Sequence, residues 1–205
     1  MLTIHHLGIS QSDRVVWLCE ELGVPYQLVK YERDPNTRLA PETYRALHPA
    51  GTAPVIEDQG TILAESGAVI DYIVARHGQG RLTVTPDDPT FATYLYWYHM
   101  ASGSLMPALM MAMGGGPMSA FGKDRLLRYL DALEQHLGDG QEWLAGPFTI
   151  ADIMIAFPLS TGRLFGPLDL SPYPAIRAYV NRLLARPAYQ RAKAKADPDL
   201  VLPST

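Results

Sequence analysis

Apolar residues along this chain follow two different rhythms, which change over near residue 80. Before that point short extended runs alternate with helical stripes. Leu2 to His6 reads as a first strand. Asp13 to Leu22 reads as a helix whose stripe is Val15, Leu18, Cys19 and Leu22, the spacing of one helix face. Gly23 ends that helix and Pro25 follows, the usual order at a helix C-terminus. Tyr26 to Tyr31 supplies a second strand and Pro41 to Leu47 a short helix. Ala53 to Asp58 and Thr61 to Leu63 are two further short strands, joined as a hairpin by the turn Asp58-Gln59-Gly60. Pro54 stands near the start of the first, where a missing N–H is tolerated. Glu65 and Ser66 open a helix that runs to about His77, with apolar positions at Val69, Ile70, Ile73 and Val74. The order βαβ followed by ββα predicts an α/β domain over residues 1–78. A right-handed crossover through its first helix makes strands one and two parallel.

Gly78-Gln79-Gly80 and Thr85-Pro86-Asp87-Asp88-Pro89 then break the pattern, predicting a linker over 79–88. Beyond it no strand rhythm returns. Helices are expected near 89–113, 119–137, 149–161 and 174–185, with a short one after Pro187, so residues 89–205 form an all-helical domain. Pro107 is expected to kink the first of these or to begin its last stretch, and Gly114-Gly115-Gly116-Pro117 to end it. Ala196 to Thr205, with its prolines, reads as an extended tail. Thr149-Ile150-Ala151-Asp152 has the form of a capping box, flanked by Phe148 and Ile153 at the staple positions and preceded by the turn Gly146-Pro147. The role of Thr149 and Asp152 is therefore folding, at about 0.5–2 kcal/mol per capping contact.

Composition narrows the function. Apolar residues at 47% and charged residues at 19% are ordinary for a globular protein. A formal net charge of -4 leaves no basic footprint, so nucleic acid is not an expected partner. The start Met1-Leu2-Thr3-Ile4-His5-His6 lacks a secretory signal, and no window approaches the roughly 20 apolar residues of a membrane span. The single cysteine, Cys19, lies on the apolar stripe and reads as a small buried hydrophobe. It gives neither an intrachain disulfide nor a cysteine metal site, and it suits a reducing cytoplasm. The six histidines show no ligand spacing, so no metal is expected.

The chemistry gathers around the hairpin. Glu65 and Ser66 put a carboxylate, a hydroxyl and the unpaired N–H groups of a helix start together, beside a strand edge that a peptide can join. That suits a small peptide carrying its own α-amino and α-carboxylate groups. Ala53-Pro54-Val55 followed by Glu65-Ser66 resembles the glutathione transferase superfamily. The likeness runs along nearly the whole chain, and is to serine-type members of bacterial and fungal kind. It implies a thioredoxin-like N-terminal domain and an all-helical second domain, to which the element Gly146-x-x-Thr149-x-Ala151-Asp152 belongs. Pro54 is then a cis proline, the Val55 backbone pairs with the cysteinyl part of glutathione, and Glu65 and Ser66 hold the γ-glutamyl end. Thr52 stands where the family often has a Lys or Arg for the glycine carboxylate, with Arg38 and His48 as basic residues able to stand in.

Such an enzyme needs a donor to the glutathione sulfur between strand one and helix one, where this chain has Ser10 and Ser12. The resemblance favours Ser10, four residues before Arg14, as the catalytic hydroxyl. Ser12 is the alternative, and a third reading has Ser10 or Ser12 only capping helix one, with Asp13 completing a box from Ser10. Neither tyrosine nor cysteine occurs in this loop. A thiol of pKa near 8.5 is about 3% ionised at pH 7. A charge-assisted hydrogen bond of roughly 1.5–3 kcal/mol lowers that pKa by about one to two units.

The family's second substrate lies against the first helix of the second domain. Here that helix carries Tyr94, Tyr98, Ala101 and Leu105 on one face, with Met106, Met110, Met111 and Met113 near its end. Tyr98, Leu105 and Met106 are the candidate residues, and core or dimer packing is the competing role for this face. The expected function is that of a cytoplasmic, homodimeric detoxifying transferase. It binds glutathione as co-substrate, needs no other cofactor, and conjugates it to a hydrophobic electrophile. A glutathione-dependent disulfide reductase or peroxidase, or a non-catalytic interaction module, is the alternative on the same fold.

Overall fold

A computed structural model describes residues 1–166 and 168–204. The chain divides into two compact units, Met1–Arg81 with Arg186–Val201, and Leu82–Ala185 with the residues from Leu202 onward.

In the first unit β1 (Leu2–Leu7), α1 (Asp13–Leu22) and β2 (Tyr26–Tyr31) form the expected crossover, β1 and β2 being parallel with Leu2 opposite Tyr26 and Leu7 opposite Tyr31. A single turn, α2 (Glu42–Arg45), precedes the hairpin of β3 (Val55–Asp58) and β4 (Thr61–Ala64), and α3 (Ser66–Arg76) follows. Sheet order is β2-β1-β3-β4, with β3 antiparallel to both neighbours. The Ala53–Pro54 bond is cis. The core is closed by Ile4, Val15, Leu18, Ile56, Ile70 and Ile73, all fully buried. Cys19 lies among them, and burial, assisted by the Glu20 charge, pushes its thiol up to about 12.

One expectation about organisation is corrected here. Residues 186–201, assigned from the sequence to the helical domain, pack in the first unit instead. The helix α9 (Pro187–Ala196) lies on α1 through the buried side chains of Ala188, Tyr189 and Ala192, with Tyr189 edge-on to Trp17 at 5.1 Å. Charges fix the pairing: Arg186 makes two bonds to Glu21, at 2.6 and 2.9 Å, while Arg191 and Lys195 reach Glu20 at 3.0 and 2.5 Å. A helix with so much alanine buries too little to stand by itself, and the paired glutamates of α1 supply its register.

A second anchor ties α3 to the hairpin. Buried Asp58 accepts from His77 at 2.8 Å and from the Tyr72 hydroxyl at 3.1 Å. Burial opposes its ionisation, but the bonds from His77 and Tyr72 outweigh that and hold its carboxyl below the usual range. A depressed carboxyl contributes stability above its unfolded value and loses it as the pH falls through the folded one. The wild-type urea midpoint is therefore expected to drop between about pH 5 and pH 2, and Asp58→Asn to start lower and show a shallower fall.

In the second unit the first expected helix is one continuous rod in three parts: α4 (Phe91–Met100), a π-helical turn at Ala101–Leu105, and α5 (Met106–Met113). The Met106 N–H bonds back to the Ala101 carbonyl. Pro107 has no N–H to offer Gly103, and the wider turn absorbs the mismatch. The long α6 (Pro117–Gly138) packs so close to α5 that a Cβ on Gly122 would lie 2.5 Å from the Ala112 nitrogen. The wholly buried α7 (Ile150–Leu159) opens on the expected capping box, in which Ala151 N–H donates to Thr149 Oγ1 and Thr149 N–H to Asp152. It ends sooner than predicted, passing into a 3-10 turn at Thr161–Leu164, and α8 (Pro174–Leu184) completes the unit. Among the described residues no helix is long and apolar enough to cross a membrane.

Candidate functional site

The serine loop is built in three steps. Strand β1 ends at Leu7, and Gly8 still pairs with Tyr31 through its N–H at 3.1 Å. Ile9 then takes φ +53, a left-handed conformation that a β-branched residue holds only under external constraint. Arg33, just past β2, supplies it by donating to the Gly8 carbonyl at 2.8 Å and the Ile9 carbonyl at 3.1 Å. The reversal delivers Ser10 and Ser12 to the start of α1.

The two serines are distinguishable. Ser10 Oγ donates to the Leu7 carbonyl at 2.7 Å, lies 2.8 Å from Ser12 Oγ, and retains 5% exposure. Ser12 Oγ receives the Leu7 N–H at 3.2 Å, stands 2.8 Å from His6 Nδ1, and is sealed at 0% exposure. Ser12 occupies the N-cap position of α1 without capping it. His6, itself buried, presents Nε2 to Asp197 at 3.0 Å.

The helix start of α3 comes to the same loop. Glu65, at φ +78, is exposed, while the Ser66 side chain is buried and donates to Gln11 Oε1 at 3.3 Å. Buried Arg14 also donates to Gln11 Oε1. With that oxygen fixed as an acceptor by two donors, the Gln11 amide nitrogen is left as the donating end. Ser10, Gln11 and Ser66 are thus brought together.

Val55 does not offer the open edge expected of it. β3 lies inside the sheet, and Val55, 1% exposed, is opposed by His5 on β1 and Ala64 on β4. Its N–H faces the Tyr44 hydroxyl, which donates to the His5 carbonyl at 3.4 Å. The main chain lying outside the ladder is that of half-buried Ala53, just before the cis bond. Thr52 beside it is exposed. Arg45 flanks this turn, its Cβ lying 3.7 Å from where a Gly51 Cβ would stand. His48 is there too, its Nδ1 accepting the Ala50 N–H at 3.1 Å. Arg38, by contrast, lines a cavity of about 410 Å³ with Gly8, Arg33 and Asp197.

Within the helical unit Tyr98 and Leu105 are buried, at 5% and 1% exposure, Tyr98 stacking on Tyr94 at 5.9 Å. Met106 is half-buried and Met110 is 53% exposed. Among the described residues no three His, Cys, Asp or Glu side chains converge as a metal site. Gln11, Arg45, His6 and Asp197 were missed from the sequence. Gln11 carries a local signal, lying between the two serines; Asp197 carries none.

Comparison with known proteins agrees with this geometry. Residues 10–76 match the model of the glutathione S-transferase N-terminal domain, and residues 105–187 that of the C-terminal domain. Glutathione S-transferase 3 of Schizosaccharomyces pombe is 28% identical, covering 96% of this chain and 88% of its own. Glutathione S-transferase 1 of Saccharomyces cerevisiae is 26% identical, covering 96% and 95%. A crystal structure of a glutathione S-transferase from Actinobacillus pleuropneumoniae is 32% identical and superposes with a TM-score of 0.88 over 96% of this chain and 93% of that one. Both halves of the sequence and nearly the whole backbone therefore agree: the chain belongs to the glutathione S-transferase family and is a glutathione transferase.

Proposed function

We propose that glutathione lies along the first unit with its sulfur at Ser10, whose hydroxyl donates to the thiolate. The γ-glutamyl end is held by Glu65, Ser66 and the Gln11 amide, and the cysteinyl main chain runs against Ala53, ahead of Val55. Arg45 or His48 supplies the cation that Thr52 lacks. The observation that carries this reading is the contrast between the serines: Ser10 keeps surface at the loop that Gln11 ties to Ser66, while Ser12 is sealed. The acceptor is a hydrophobic electrophile. Tyr98 and Leu105 are the packed floor of the methionine-rich stretch, and Met106 and Met110 are the residues with surface to offer it. A cytoplasmic homodimer completes the reading, supported by Met118, Phe121 and Leu127 standing exposed along α6.

Disulfide reduction through a cysteine of the protein itself is disfavoured, because Cys19 is buried with its thiol pushed up to about 12. Calorimetric titration is the test. Glutathione and S-hexylglutathione are both expected to bind, the alkylated peptide more tightly. Heat from neither would leave a non-catalytic module on this fold.

A further inference from the structure

We propose that Arg33 is a positioning residue for the Ser10 hydroxyl: its guanidinium locks Ile9 in a left-handed turn and so sets where the Oγ of the next residue points. The inference rests on the reading of Ser10 as the donor to sulfur, and adds a residue from beyond the second strand through which that donor is aimed.

Left to itself the turn would not hold. An L-residue disfavours the left-handed region by about 5–30-fold against the right-handed one, and a β-branched side chain there is an outlier. Ile9 nevertheless stands at φ +53 immediately before Ser10. Gly8 beside it, which could take a positive φ freely, does not do so. The reversal is thus placed one residue later, directly against the serine.

Arg33 supplies what Ile9 lacks. Three of its nitrogens donate to three different carbonyls: Nε to Gly8 at 2.8 Å, Nη2 to Ile9 at 3.1 Å and Nη1 to Arg38 at 2.9 Å. The Gly8 and Ile9 carbonyls belong to the two peptide planes that meet at the Ile9 Cα. Holding both on one planar fork fixes φ and ψ together. The second of those planes carries the Ser10 nitrogen, so Ser10 is oriented with it.

The third bond anchors the fork. Arg38 belongs to a turn closed by Asp34 N–H on the Leu39 carbonyl at 3.0 Å and Arg38 N–H on the Asp34 carbonyl at 2.9 Å. Asp34 Oδ1 stiffens it, accepting the Asn36 and Thr37 N–H groups at 2.9 and 2.7 Å. A lysine ammonium is one compact point and cannot reproduce this spread of donors. Arg38, Tyr44 on α2 and Asp197 face the guanidinium as well, yet its three bonds all go to carbonyls. A guanidinium keeps its charge throughout an enzyme assay, so a shifted profile reports the thiol.

The test is the pH profile of kcat/KM for glutathione, with melting temperature beside it, in Arg33→Ala, Arg33→Lys and Ile9→Gly/Arg33→Ala. Without the fork the aimed turn becomes the minor state by about 5–30-fold. The kinetic pKa of bound glutathione should therefore rise by about 0.7–1.5 units, with the same 5–30-fold loss below it. Arg33→Lys keeps the charge and should follow Arg33→Ala. Glycine takes the left-handed region about as readily as the right-handed one, so adding Ile9→Gly should return the profile to within about twofold of wild type. A wild-type profile in Arg33→Lys would show that charge alone matters and overturn the clamp. So would a double variant no better than Arg33→Ala, or a lowered melting temperature with an unmoved profile. Should Arg33→Ala fail to fold, Arg33→Lys and Ile9→Gly/Arg33→Lys carry the same expectations. An unmoved profile in Ser10→Ala strikes the proposed function and this role with it, whereas a moved one beside an unmoved Arg33→Ala strikes the clamp alone.

Discussion

Asp152→Ala should destabilise the helical unit by about 3–5 kcal/mol, the largest stability loss of any single substitution considered for this chain. The carboxylate is fully buried and accepts four bonds: Leu144 N–H at 3.1 Å and Tyr179 O–H at 2.7 Å on one oxygen, Thr149 N–H at 2.8 Å and Thr149 O–H at 3.1 Å on the other. A capping box alone accounts for about 0.5–2 kcal/mol. The excess comes from Leu144 and Tyr179, whose buried donors would be stranded, each at about 1–3 kcal/mol. Asp152→Asn should recover little, since its amide group must face a donor on one side. The measurement is the melting temperature, expected to fall by about 10 °C in a protein of this size. A fall no larger than that of Thr149→Ala would show that the box acts only as a helix cap. Steady-state KM for glutathione in the surviving folded fraction should not move, because Asp152 and the serine loop belong to different units.

How much of this was legible in the sequence depended on how far each signal reached along the chain. The bounds of α1 follow from Asp13, Gly23 and Pro25, all within the helix or a few residues past it, and were read correctly. The box at Thr149 is a four-residue pattern and was read as well, with its staple partners adjacent. Yet the Tyr179 bond that makes Asp152 more than a cap spans 27 positions and left no trace in the local pattern. The same limit separated the two parts of the serine loop. Ser10 and Ser12 were visible as hydroxyls between a strand and a helix, but which of them is sealed and faces His6 is decided by packing that neither serine's own neighbourhood in sequence reveals. α9 was placed with the wrong unit for the same reason: alanine-rich helices carry a faint stripe, and only Glu20 and Glu21 show where it docks. Val55 failed differently. Register places β3 between two neighbours, and strand order in a sheet is not a property of the strand's own residues.

Ser10→Ala and Ser12→Ala should therefore separate in kind. Removing the Ser10 hydroxyl withdraws a charge-assisted bond of about 1.5–3 kcal/mol from the bound thiolate, raising its pKa by about one to two units. Below the wild-type value kcat/KM for glutathione should then fall about 10–100-fold, tracking the thiolate fraction. As the pH rises the two profiles should approach each other and then cross at alkaline pH. There Ser10→Ala should even exceed wild type, by about threefold if the thiol becomes tenfold less acidic, because a more basic thiolate is the better nucleophile. Some stability should be lost as well, since the buried Ser10 hydroxyl donates to the Leu7 carbonyl, lies 2.8 Å from Ser12 Oγ and accepts the Ser12 N–H at 3.3 Å. Ser12→Ala removes an oxygen that receives the buried Leu7 N–H and faces His6, so its first effect should be a stability loss of about 1–3 kcal/mol. Its pH profile should keep the wild-type shape, because the Ser10 hydroxyl remains beside the sulfur. Crossing profiles for Ser10→Ala, with a parallel loss at every pH for Ser12→Ala, are the expected pair. The reverse assignment would move the catalytic hydroxyl to the sealed serine, and an unmoved profile in both would place the activating donor outside this loop.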